Sequence, residues 1–247
     1  MTKVTDSLDA DRGELLRICS ALSDEAWNSG SGCAGWTVKD VVSHLAALYW
    51  IVVDRERLPD VTGVPTEQAQ DILVAERRSL SPAEVIADYE SVSASALPLL
   101  ASLGELDFEV PLGDLGTYRA REVPAAYSFD HYVHLRMDLF PPRGPLAGDP
   151  PSSSAERLDS ALDWIEVALA QQNAAVIPEL PGVVRFEISG TGGRTFELGA
   201  GDQAGRVAMD AEPFIRAVTQ RADWSAARID ATDPRLSPAL LARLKVF

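Results

Sequence analysis

The stretch that most limits what this chain can fold into runs Phe140-Pro-Pro-Arg-Gly-Pro-Leu-Ala-Gly-Asp-Pro-Pro-Ser-Ser-Ser154. Proline has no amide hydrogen and a fixed φ, while glycine and serine favour turns, so neither a helix nor a strand continues through it. It also separates two hydrophobic rhythms. Ahead of it apolar residues recur at helical spacing; beyond it Val184, Phe186 and Ile188 alternate with Arg185, Glu187 and Ser189, the pattern of a half-buried strand. The chain therefore reads as two domains, residues 1–148 and 152–247, and its 247 residues are enough for both.

In the first half, Leu8, Leu15, Cys19, Leu22 and Ala26 form one helical stripe over residues 7–28, ended by the glycine-rich loop Asn28-Ser-Gly-Ser-Gly-Cys-Ala-Gly35. Thr37 and Asp40 stand at capping-box spacing and Trp36 precedes them as a staple onto Val41, so a helix opens there. Val38, Val41, Leu45, Leu48 and Val52 make its inner face. A polar helix follows over 66–78. Ser81-Pro-Ala-Glu84 then combines a cap, a proline at the first helical position and the glutamate of a capping box. The last helix begins near Arg121 and gathers Ala126, Phe129, Val133, Met137 and Phe140 on one face. Four helices with mostly short connections predict a four-helix bundle, in which side chains from facing helices can converge on a ligand.

Beyond the linker the spacing predicts a helix over 155–173, strands over 184–188, 195–198, 206–209 and 227–231, and helices over 212–221 and 237–245. Gly190-Thr-Gly-Gly193 reads as a hairpin turn and not as a phosphate loop, because no Lys-Ser/Thr follows and no helix opens there. This half is a small α+β layer.

The charge balance narrows the function. With 22 Lys and Arg against 37 Asp and Glu the net charge is −15, which opposes binding to nucleic acid or to an anionic membrane surface. Two cysteines, Cys19 and Cys33, exclude a disulfide framework and favour a reduced, cytoplasmic setting. The N-terminus lacks the apolar core of a signal peptide, and no apolar run reaches the length of a membrane span.

Three histidines are present: His44, His131 and His134. Asp130 and His134 are one helical turn apart and can share a metal if a neighbouring helix supplies a third ligand. The same spacing is common on solvated helices, so by itself it reads equally well as a surface ion pair. His131 is a rival ligand, but on a helical wheel it falls beyond His134, away from the apolar face, and so reads as a solvated position. Cys33, in the loop just before the His44 helix, and Trp50, further along that helix, could border a pocket, with a buried thiol and a core indole as their ordinary roles.

Gly35-Trp-Thr-Val-Lys-Asp-Val-Val-Ser-His-Leu45 together with Asp130-His-Tyr-Val-His134 resembles the mycothiol-dependent maleylpyruvate isomerase family. That family joins a DinB-like bundle to a smaller sterol-carrier-like α+β domain, which Ala217-Val-Thr-Gln-Arg221 matches loosely. The resemblance implies an α plus α/β two-domain fold and zinc, or another divalent metal, held by His44, Asp130 and His134. It also implies mycothiol as thiol cosubstrate, an electrophilic or unsaturated acid as substrate, and Arg221 acting on the substrate or thiol from the second domain. The activity it implies is cis-trans isomerisation or thiol S-transfer, by a monomer or homodimer; the alternative is a non-catalytic metal-binding DinB-like protein. Two positions depart from the family: its usual glutamate is Asp130 here, and its usual glycine before the arginine is Gln220.

Overall fold

A computed structural model describes residues 3–247, which form two compact units. One comprises the chain up to Asp114 together with Tyr118–Ser152, and the other Leu115–Thr117 with Ser153–Phe247.

The first unit is helical. Its α-helices are α1 (Lys3–Cys19), α2 (Asp24–Asn28), α3 (Val38–Val53), α4 (Thr66–Ala75), α5 (Pro82–Leu103) and α6 (Val123–Val133), and Glu109–Pro111 pairs with Thr117–Arg119 in a two-stranded sheet. A π-helical turn, His134–Asp138, continues α6. The helix expected over 7–28 is two helices. Ser23 accepts from the Ala26 amide and starts α2 afresh, a cap that competes with continuation of α1. Both capping boxes form as expected: Thr37 with Asp40 opens α3, and Ser81 with Glu84 opens α5. α3 packs chiefly on α5, and α1 on α6. Between them lie Leu8, Leu15, Val41, Leu45, Tyr49, Val85, Tyr89 and Leu100, all fully buried. Each such aliphatic side chain contributes about 1.5–3 kcal/mol through removal from water.

The second unit is built on a four-stranded sheet with spatial order Arg194–Leu198, Val183–Ser189, Gln203–Asp210, Arg228–Ala231. The first two strands form the expected hairpin, with Phe186 opposite Phe196. Gly190 and Gly192 supply its turn at positive φ. Gln203–Asp210 runs parallel to Val183–Ser189 on the other side. Val184, Phe186, Val207 and Met209 point inward with Phe214, Ile215 and Val218 of α8 (Ala211–Val218) and Leu162, Trp164 and Ile165 of α7 (Ala155–Gln172). Leu115–Thr117 joins this unit because the Thr117 amide donates to Gln171 Oε1 at 2.8 Å. The helix expected over 237–245 shrinks to α9 (Pro238–Leu241). The tail is drawn off into other bonds: Lys245 N donates to Asn173 Oδ1 at 2.9 Å and Val246 N to the Val218 carbonyl at 2.9 Å.

A mostly helical region followed by a small sheet-bearing one is the α plus α/β architecture expected from the sequence. Among the described residues no helix is long and apolar enough to cross a membrane.

Candidate functional site

Three of the side chains singled out by sequence meet inside the first unit. His44 faces inward from the middle of α3, and Asp130 and His134 come from the end of α6. Both imidazoles present Nε2 to the same carboxylate: His44 Nε2 lies 3.1 Å from Asp130 Oδ2, and His134 Nε2 lies 3.4 Å from Asp130 Oδ1. The two rings are 5.0 Å apart, centre to centre. His44 and His134 are buried, whereas the Asp130 side chain keeps 24% of its surface exposed, so the cluster is open on the aspartate side.

What stands behind each ring fixes its chemistry. His44 Nδ1 is 3.1 Å from Gln70 Oε1 on α4, and His134 Nδ1 is 2.8 Å from Asp138 Oδ2. Both partners are acceptors, so in each neutral ring Nδ1 carries the hydrogen and Nε2 keeps its lone pair. The two lone pairs then confront an acceptor-only carboxylate, an arrangement that needs a positive charge between them. A proton or a divalent cation meets that need, and two imidazoles with one carboxylate are a donor set suited to zinc. With protons alone, burial pushes His134 down, but Cys33 and Asp130 outweigh it and hold the imidazole well above its usual range. Burial likewise pushes Asp130 up, and His44 and His134 outweigh it, so the carboxyl stays well below the usual range.

Further side chains surround the cluster, of which the sequence had pointed to Cys33. Trp36 lies 5.1 Å from the His44 ring and 6.4 Å from the His134 ring, with its Nε1 donating to Asp71 at 2.8 Å. It is thus Trp36 that borders the cluster; Trp50 donates to Asp88 and lies under the Arg57 guanidinium, 4.0 Å from its ring centre. Cys33 Sγ approaches His134 Nδ1 at 3.5 Å. Asp138, fully buried, lies one turn after His134 at the other end of the π-helical turn and sits beneath its ring. Of these, Asp138 had a sequence signal, its spacing one turn after His134. Gln70 had none.

His131 corrects an expectation. It is not solvated but 1% exposed, with Nδ1 2.9 Å from the Tyr127 carbonyl and Nε2 3.0 Å from Tyr89 Oη. Burial pushes its pKa down to about 4, so it is a neutral core residue that ties α6 to α5. The wheel argument failed because this helix is enclosed on more than one side: Tyr89 and Tyr49 cover the face that periodicity assigned to water. Arg221 lies in the second unit just after α8, where its guanidinium donates to the Thr219 carbonyl at 3.0 Å.

Comparison with known proteins bears on this arrangement. Residues 8–140 match the family described as mycothiol maleylpyruvate isomerase N-terminal domain. Two crystal structures share the fold: that of the mycothiol-dependent maleylpyruvate isomerase, at 15% identity and a TM-score of 0.58, and that of a mutant of it, at 16% and 0.57. Each comparison covers 93% of both chains. No curated protein matches.

Proposed function

Since the chain belongs to the mycothiol maleylpyruvate isomerase N-terminal domain family, we propose that it is a zinc-dependent enzyme acting with a low-molecular-weight thiol, mycothiol by family, on an electrophilic or unsaturated acid. The observation that carries this reading is the pair of Nε2 lone pairs aimed at one carboxylate, with Nδ1 of each ring already committed to Gln70 and Asp138.

His44, Asp130 and His134 are the residues that would hold the metal. A zinc ion held by three protein groups keeps a position for an incoming sulfur and favours its thiolate form near neutral pH. The chain's own groups do the rest. Gln70 and Asp138 fix the tautomer and tilt of the two imidazoles, which keeps the ligand set preorganised. Trp36 gives the site an apolar wall that limits water beside the rings. In the reading we adopt, Arg221 orients the substrate carboxylate by paired donors, and the thiolate adds to an activated cis double bond; rotation and elimination then return the thiol and the trans isomer. Thiol S-transfer to an electrophile uses the same residues and stops after addition.

The test is metal analysis and turnover together. The purified protein is expected to hold about one zinc per chain and to isomerise maleylpyruvate only with mycothiol. His44→Ala and Asp130→Ala should lose turnover and weaken zinc binding. Arg221→Ala should lower turnover while leaving zinc affinity unchanged. A wild-type protein that binds neither zinc nor mycothiol in calorimetry defeats the proposal; zinc binding without any thiol binding favours the non-catalytic DinB-like alternative.

A further inference from the structure

His134 has a second face that the reading above leaves unused as a ligand. Around its Nδ1 stand Cys33 Sγ at 3.5 Å and Asp138 Oδ2 at 2.8 Å, and the three donor atoms lie within 4.8 Å of one another. They come from separate pieces of chain, the glycine-rich loop before α3 and the π-helical turn. These pieces are fastened together: the Gly32 amide donates to the Asp138 carbonyl at 2.7 Å, and Arg143 Nη2 donates to the Gly32 carbonyl at 2.5 Å. Gly32 is required for that approach, since a Cβ there would come within 2.9 Å of the Asp138 Cα. Arg143 Nε lies 3.6 Å from Asp138 Oδ1, which leaves Oδ2 to face the ring.

We propose that Cys33, His134 and Asp138 form a second cation position that takes a thiophilic divalent ion, as an alternative to the position on the Nε2 side. Zinc–sulfur and zinc–imidazole bonds in a tetrahedral site put sulfur and nitrogen about 3.5 Å apart, which is the spacing already present. The carboxylate oxygen has to withdraw by only about 0.5 Å to reach its own bonding distance. A neutral imidazole has one lone pair, so its tautomer selects the position. With the hydrogen on Nδ1 and donated to Asp138, Nε2 is the ligand, alongside His44 and Asp130. With the hydrogen on Nε2 and donated to Asp130 Oδ1, Nδ1 becomes the ligand, alongside Cys33 and Asp138. Filling the second position of metal-free protein, from the thiol and the imidazolium, releases the Cys33 proton and the His134 Nδ1 proton to solvent and leaves the ring hydrogen on Nε2. The donor sets differ in softness: the thiolate favours a soft divalent ion such as cadmium, whereas two imidazoles and a carboxylate suit zinc.

Cadmium alone is the probe. Titrated into metal-free protein, it should produce the ultraviolet charge-transfer absorption of a cadmium–thiolate bond. That absorption should persist in His44→Ala, which breaks only the Nε2-side position, and vanish in Cys33→Ser, whose cadmium affinity should fall more than about tenfold. Cys19 is the internal control: burial pushes its thiol up to about 12, so Cys19→Ala should leave the signal intact. Should Cys33→Ser misfold by circular dichroism, cadmium NMR of the wild type reads sulfur ligation directly. No thiolate signal at saturation, or one that survives in Cys33→Ser, or one lost in His44→Ala, overturns the second position. These outcomes are separate from zinc-dependent turnover, so the proposal can fail while the enzymatic reading stands, and the reverse.

Discussion

At the scale of single residues, the site depends on which atom of each imidazole is already engaged. Asp138 takes no part in the proposed ligand set on the Nε2 side, yet its Oδ2 lies 2.8 Å from His134 Nδ1 and orients the ring. Asp138→Asn keeps the shape and removes the charge; calorimetry should show zinc affinity falling about 10–100-fold. An undiminished affinity would show that the buried carboxylate is not what holds the ring. Asp130 is a methylene shorter than the family's usual glutamate, yet its two oxygens already lie 3.1 and 3.4 Å from the two Nε2 atoms. The protonated cluster also sets a pH dependence. His134 is raised above its ordinary 6.5, so its contribution to the metal-free protein is complete below that value and is lost as pH rises through the folded-state pKa. Asp130 is lowered, so its contribution is present above its ordinary 3.8 and is lost as pH falls through the folded-state pKa. His131, lowered to about 4 by burial, removes stability as pH falls from 6.5 towards that value. Denaturant midpoints of metal-free protein should therefore peak near the ordinary histidine value of 6.5, fall on the acid side through His131, and fall on the alkaline side through His134. Zinc reverses the trend there, because it displaces protons and binds more tightly as pH rises. A midpoint without zinc that is flat from pH 5 to 9 would contradict this assignment.

Among the elements, the π-helical turn His134–Asp138 carries the most consequence. It carries His134 and Asp138 and, between them, Arg136, whose Nη1 and Nη2 donate in the core to the two oxygens of Asp11 at 2.9 and 2.7 Å. Both partners are 1% exposed, and Tyr132 lies against the guanidinium. Losing one member of such a pair strands a buried charge. Asp11→Ala should cost about 3–5 kcal/mol, and the double variant Asp11→Leu with Arg136→Met should cost clearly less. Urea unfolding of both variants checks this; equal losses would mean that the pair acts through packing and not through charge. The capping boxes are the more ordinary devices. Thr37→Ala should cost about 1 kcal/mol by the same measurement, and it should loosen the start of the helix that carries His44.

For the whole molecule, each unit buries apolar side chains of its own, and the candidate metal ligands His44, Asp130 and His134 all lie in the first. If the proposed roles hold, a fragment of residues 1–152 should bind zinc with the affinity of the full chain while losing turnover, since Arg221 belongs to the other unit. Ending the fragment at Gly148 should destabilise it further, because Arg136 Nη2 also donates to the Ser152 carbonyl at 3.3 Å. In the second unit, Gln220 occupies a position with φ of 60°, where the family's usual glycine would sit without strain. Its amide donates to the Ala242 and Leu244 carbonyls, so the side chain offsets the backbone cost by tying down the tail.

The sequence by itself determined the change from helical spacing to strand alternation, both capping boxes, the hairpin at Gly190–Gly193 and the one-turn spacing of Asp130 and His134; His44 joined that pair only through the family resemblance. Those features are local: each is written in residues a few positions apart, where propensity and periodicity act. Only the tertiary structure decided that His131 is buried, that Ser23 restarts a helix, and that Trp36, Gln70, Cys33 and Asp138 surround the two imidazoles. Which atom meets which depends on partners as distant as Cys33 and His134, and a one-dimensional pattern holds no record of how a π-turn and a glycine loop bring them into contact.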